Sequence, residues 1–366
     1  MSKRITLAVF LVSIVLLAVI VNMVNGFGTK KDEIRKNVIG LILPGSISED
    51  GWNGDHYRSV KSVTDELGSE LVVMENVKEG SGQVANAAKS LVEAGAGMII
   101  LCSYNFPGEM ENYIKEQRDV SFYGISNELD LKNFTAYSAR VYQARYLAGV
   151  IAGLNTRTNK LGYVAAMNNS EVNRGINAFA LGARRVNPKV KVYVAWSNSW
   201  DNVSVERENV NKLVKDADVD VLGYHQNRTH VLEEAEAQGV MSVAYSLKAS
   251  PYSPNVLGST ATNWSMVYKE IIQDYLQKKH SVNNYWVGAD KNAIEVPFLS
   301  DAVSDSAKQV VGGLLDSLKN GMDVFAGPVY DNHRKKRCDK NEVISDIILR
   351  GEMDWFVDGV MVYENQ

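Results

Sequence analysis

Short apolar runs without polar alternation recur along this chain, each followed by a stretch of helical periodicity. That rhythm decides the fold class. The first run, residues 38–43, reads VIGLIL, the pattern of a strand buried on both faces of a parallel sheet. After it, Tyr57, Val60, Val63 and Leu67 fall on one stripe of an amphipathic helix. The spacing predicts strands over 70–74, 98–102 and 121–125, with helices over 55–66, 82–94 and 109–117 between them. A second series predicts strands over 161–165, 191–196, 219–223, 241–245 and 256–259, with helices over 139–154, 172–186, 204–216 and 228–238. Strands separated by helices imply right-handed crossovers and parallel sheets. The expected fold is therefore α/β, in two similar lobes. Later elements (helix 265–278, extended 285–288, helix 306–318) break the rhythm and are expected to complete each lobe in turn. The lobes are then 38–137, completed by about 263–290, and 138–262, completed by about 291–366, with several crossings and a hinged cleft between them.

The N-terminus departs from this pattern. Met1-Ser2-Lys3-Arg4 is basic, and 5–24 is apolar apart from Ser13 and Asn22. Residues 1–26 read as a signal peptide with a long apolar region or as an uncleaved membrane anchor. Val24 and Gly26 are small enough to permit cleavage after Gly26, and 27–37 is a polar linker. Either way the folded part is exported, to the periplasm or the outer face of the cytoplasmic membrane. No cysteine lies nearby, so the usual lipoprotein anchor is excluded. Cys102 ends an apolar run and reads as a buried free thiol, and no spacing rule pairs it with Cys338. The net charge of −4 argues against a nucleic-acid partner, and the basic run 333–337 reads as a solvated loop.

The unusual residues gather where strands end. Asp50, Trp52 and Asn53 follow the first strand, and Tyr104 the third. Trp200, His225 with Asn227, Tyr245 and Trp264 hold the corresponding places in the second series. In open α/β sheets ligands bind at the carboxyl ends of the strands. Aromatics and amides there describe a binding cleft for a flat, polar, uncharged molecule. The competing reading of the first loop is a capped helix start, with Ser48 or Asp50 as cap and Trp52 as a packing residue. There is no GxSxG elbow, no GxGxxG after the first strand, no Walker loop and no HExxH. His225 and His230 lack a nearby acidic set, and neither Ser103 nor Ser199 has a base partner. No catalysis, metal or cofactor is expected.

The blocks GSISEDGWN, YSARVYQARYLAGVIAG, LGYVAA, EVNRGINAFALGARRVNP, SWDNVSVERE, VYDN and MDWFVDGV occur in order from about residue 38 to 364. Together they resemble the basic membrane protein family, the PnrA-like substrate-binding proteins of ABC transporters. The resemblance implies the type I periplasmic-binding-protein fold, two Rossmann-like lobes joined by a multi-strand hinge and closing on a ligand. It implies a purine base, purine nucleoside or similar flat heterocycle, delivered to an ABC permease. It also implies stacking of the base between aromatics matching Trp52 and Trp200, with Asn53 as the neighbouring amide. Nucleoside binders of the family hold the ribose with an aspartate and a lysine. The matching loops here carry Ser246-Leu247-Lys248 and Thr262 instead, and His225-Gln226-Asn227 replaces a more acidic sequence. Ring stacking is kept and the ribose clamp is not. A membrane-anchored ligand sensor is the alternative use of the same fold, decided by whether 1–26 is cleaved.

Overall fold

The computed structural model describes residues 38–49, 51–126, 129–247, 253–279 and 284–363. The expected signal or anchor, the linker and Asp50 lie outside these. The chain divides into two compact units, one of residues up to 137 with Tyr268–Tyr285, the other of Ser138–Val267 with residues 286 onward.

The first unit is built on a six-stranded sheet. Its strands are β1 (Val38–Ile42), β2 (Glu70–Met74), β3 (Met98–Leu101), β4 (Ser121–Ile125), β5 (Phe134–Ala139) and β11 (Asn284–Val287), in the order β11-β5-β4-β3-β1-β2. The pairs β1–β2, β1–β3, β3–β4 and β4–β5 are parallel. β1 is buried at every position, as its unbroken apolar sequence requires. Helices α1 (Trp52–Glu66) and α2 (Val84–Glu93) are two of the crossovers. Ile42, Leu91, Ile99, Leu101, Phe106 and Phe122 form the core on one face, each apolar side chain contributing about 1.5–3 kcal/mol by leaving water. β5 was not expected. The apolar residues Phe134, Ala136 and Tyr137 are buried in it, and the following helix, expected from residue 139, begins at Val141.

The second unit carries seven strands: β6 (Lys160–Ala165), β7 (Lys191–Trp196), β8 (Val221–His225), β9 (Met241–Tyr245), β10 (Val256–Thr262), β12 (Ile294–Leu299) and β15 (Val360–Val362). Their order is β12-β10-β9-β8-β6-β7-β15, and only the β10–β12 pair is antiparallel. Its helices are α3 (Val141–Asn155), α4 (Ser170–Val186), α5 (Val203–Ala217), α6 (His230–Ala237) and α8 (Asp305–Lys319), while α7 (Trp264–Leu276) starts here and ends in the first unit. Two strands differ from expectation in ways that matter for function. β8 runs two residues later than 219–223, which makes His225 the end of a strand. β10 extends past 259 to Thr262, because Thr260, Ala261 and Thr262 are buried in the sheet rather than free in a loop.

The family-like blocks have clear packing roles. A side chain at Gly149 of α3 would stand 1.9 Å from the carbonyl oxygen of Phe179, and one at Gly182 of α4 would stand 2.0 Å from that of Tyr146. The two helices therefore touch backbone to backbone, which only glycine permits. On α4, Asn173 donates to the carbonyl of Met353 and Asn177 to that of Trp355, while Arg174 donates to Leu349. EVNRGINAF thus stitches residues 349–357 onto the unit. The basic run lies in the hairpin of β13 (Val329–Tyr330) and β14 (Lys336–Cys338), where Lys336 pairs with Asp339 and Arg337 with Asp331. Cys102 and Cys338 are both free thiols.

Candidate functional site

In each sheet the chain winds outward in both directions from a central strand. The reversal falls between β1 and β3 in the first unit and between β6 and β8 in the second. Such switch points are where open α/β sheets leave a crevice at the strand ends.

In the first unit Trp52 occupies this place, as the first residue of α1 rather than in the preceding loop. Gly51, at φ 104°, holds the N-cap position. The indole N–H donates to the carbonyl of Cys102, just past β3, at 3.0 Å. The ring lies 4.1 Å from that of His56, one turn on, and remains 38% exposed. His56 is buried, with Nδ1 2.5 Å from the Tyr268 hydroxyl, which also lies 3.3 Å from Cys102 Sγ and 3.2 Å from the Tyr137 hydroxyl. Burial pushes the Cys102 thiol up to about 11, against the lowering effect of the two tyrosine hydroxyls. Asn53 is turned into its own loop. Its oxygen accepts from the amide of Gly45 and its NH2 donates to Glu49. Tyr104 is 58% exposed beyond β3.

In the second unit Trp200 follows β7. It is half-buried against the core of the unit, and its ring meets that of His225 edge-on at 5.6 Å. Its carbonyl accepts from the backbone amide of Asn227, and the Gln226 amide, with its oxygen on Ser197 Oγ, donates to the carbonyls of Ser199 and Trp200. The Asn227 side chain is exposed. Burial, and after it the charges of Arg145 and Arg174, hold the His225 imidazole well below its ordinary pKa. At the ends of β9 and β10 the Tyr245 hydroxyl lies 2.9 Å from that of Thr262. Leu247 donates its amide to Ser259 Oγ. Trp264 is 5% exposed, a buried helix residue rather than a strand-end ring open to solvent.

The expected residues thus form two groups. Trp52 and Tyr104 present rings in the first unit, with Asn53 bracing the loop beneath. Trp200, His225, Asn227 and Tyr245 cluster in the second. Arg145 was missed. It is a lone charge inside the apolar run of α3, and its guanidinium lies 3.8 Å from the Tyr245 ring centroid. Among the described residues no cluster of His, Cys, Asp or Glu is able to hold a metal, and no helix is long and apolar enough to cross a membrane.

Comparison with known proteins gives one family. The profile of "Bmp: ABC transporter substrate-binding protein PnrA-like" matches residues 36–320. A purine-binding protein of Brucella abortus is 27% identical over 92% of this chain and 96% of its own. A Haloferax volcanii protein, provisionally named an ABC transporter glucose-binding protein, is 27% identical over 86% of this chain and 78% of its own. Among solved structures, a transcriptional activator of the comK gene from Bacillus halodurans superimposes with a TM-score of 0.69 at 19% identity, over 78% of this chain and 98% of that one.

Proposed function

The chain belongs to the PnrA-like (Bmp) family of ABC-transporter substrate-binding proteins, and we propose that its ligand is a purine base or a similar flat heterocycle stacked by Trp52 and Trp200. The family is one of extracytoplasmic binding proteins, not of enzymes, and the fold is that of type I periplasmic binding proteins. The observation that carries the ligand reading is the exposed Trp52 ring at a sheet switch point, fixed at its edge by the Cys102 carbonyl. A planar partner gains most from a flat, pre-set aromatic surface, because little motion is lost on binding. The name of the Brucella relative points the same way.

We place Tyr104, His225, Asn227 and Tyr245 around the ligand, with an ABC permease as the partner that receives it. The loops that would clamp a ribose support a free base over a nucleoside. Thr262 is buried and its hydroxyl is engaged by Tyr245, while Leu247 offers no carboxylate. The glucose in the name of the Haloferax relative marks sugar as the competing ligand class. Mass spectrometry of small molecules released on denaturing the purified full chain separates the two. A purine or related heterocycle is expected, and a carbohydrate with no heterocycle would overturn the reading.

A further inference from the structure

Arg145 sits in the middle of α3 at 3% exposure. Nη1 donates to the carbonyl of Tyr224 at 2.9 Å, and the guanidinium lies on the face of Tyr245. Nε is buried with no hydrogen-bond partner among the described residues. A guanidinium stays protonated wherever it is placed. Burying it without a counter-charge is costly, and one carbonyl and one aromatic face offset only part of that cost.

The carboxylates of this region are committed elsewhere. Asp201 pairs with Arg228 at 3.1 Å and with His230 at 3.4 Å. Glu206, buried at the start of α5, accepts from the backbone amide of Asn202. Neither is ion-paired with Arg145. A second buried guanidinium, Arg174, also acts on His225, and Glu171, one turn earlier, is the carboxylate whose charge reaches it. Gly175 brings α4 close enough that a side chain there would lie 3.2 Å from His225 Nδ1 and 3.7 Å from Arg145 Cγ. His225 Nδ1 is itself buried without a partner among the described residues. The strand ends that carry His225 and Tyr245 are thus backed by positive charge and unpaired nitrogen, and among the described residues no carboxylate is ion-paired with Arg145.

Resting on the purine reading above, we infer that the ligand turns an acceptor-rich edge toward Arg145, His225 and Tyr245, which makes it an oxopurine rather than an aminopurine. Carbonyl oxygens, and the negative charge carried by urate and by deprotonated xanthine, suit a surface backed by a buried cation. The exocyclic amine of adenine presents hydrogens of partial positive charge, which a buried cation disfavours. Sites built from buried polar groups discriminate strongly on such a mismatch.

The test is a calorimetric series on the ligand-stripped full chain with adenine, hypoxanthine, xanthine and urate. Xanthine or urate is expected to bind about tenfold or more tightly than adenine. Arg145→Met should abolish that preference while changing adenine affinity less than about threefold. Adenine binding as tightly as the oxopurines would overturn the inference and leave the purine reading intact. Equal weakening of all four by Arg145→Met would make Arg145 a structural residue and also overturn it. Binding of no purine at all would fail the underlying reading and this inference with it. The wild-type series decides the matter even if the variant does not fold.

Discussion

Trp52 and Cys102 are joined by a hydrogen bond from the indole N–H to the backbone carbonyl, at 3.0 Å. The ring that follows β1 is thereby anchored to the end of β3, across the point where the sheet changes winding direction. The ring remains 38% exposed.

Trp52→Ala is expected to weaken ligand binding by roughly 1–3 kcal/mol, the range for removing a ring on which a base stacks. The melting temperature should fall by no more than about 2–4 °C, because one hydrogen bond and a partly exposed ring are lost. Trp200→Ala should weaken binding comparably but cost more stability, since Trp200 packs against the core. Calorimetry and thermal melts on both variants check this. Unchanged affinity with a large drop in melting temperature would make Trp52 a packing residue.

A free base should bind at least as tightly as its nucleoside. Without a carboxylate to accept ribose hydroxyl protons, a sugar gains only weak hydrogen bonds and must displace water to make them. Calorimetric titration of matched base and nucleoside pairs checks it. Nucleoside affinity about tenfold above that of the base, or 1.4 kcal/mol, would mean that His225, Asn227 or another residue holds the sugar.

Asp331 should give the protein an acid-sensitive step. Burial alone would raise its pKa, but the backbone amide of Lys335, the Arg337 side chain and the His333 amide together hold it below the ordinary carboxylate value. A carboxyl with a depressed folded pKa contributes stability that is present above its unfolded value of about 3.9 and lost as pH falls through the folded value. Asp331→Asn is expected to cost roughly 1–3 kcal/mol near neutrality, because buried donors lose an acceptor. It should also flatten the acid limb of a urea-stability profile. A variant whose acid limb matches the wild type would refute the assignment.

Both thiols should resist modification while the chain is folded. Cys102 is fully buried with its pKa pushed up to about 11, and burial also raises that of Cys338. The thiolate is the reactive form, so an aromatic disulfide reagent at pH 8 should titrate neither cysteine in the native protein and both in denaturant. Prompt native reaction of one would report local opening around it.

The parallel core was legible because its central strands β1 and β3 are buried at every position and carry no polar residue to blur the signal. β2, β4, β7 and β9 fall on their expected limits, 70–74, 121–125, 191–196 and 241–245. β5 was hidden because Thr135 and Ser138 interrupt its apolar residues, and β15 because three residues carry too little pattern. Trp52 and Trp200 were singled out by position, since each lies past the end of a strand. What those positions do locally was not legible. Asn53 spends its amide on Gly45 and Glu49, and Trp264 is buried, because both depend on neighbours that only folding supplies. Arg145 had one available signal, a single charge in the otherwise apolar stretch YLAGVIAG and its flanks. Its partners Tyr224 and Tyr245 lie far along the chain, so the signal had no interpretation before folding.

The pairing of β15 with β7, which sets Val360 beside Val192, has a consequence for biogenesis. Until a ribosome or export channel delivers that late segment, β7 presents an uncapped row of amides and carbonyls to any passing strand. Contacts of such sequence separation form slowly and leave partly folded chains open to aggregation. A chain passed through an export channel would gain from the same delay, because one whose second sheet cannot close early stays threadable for longer.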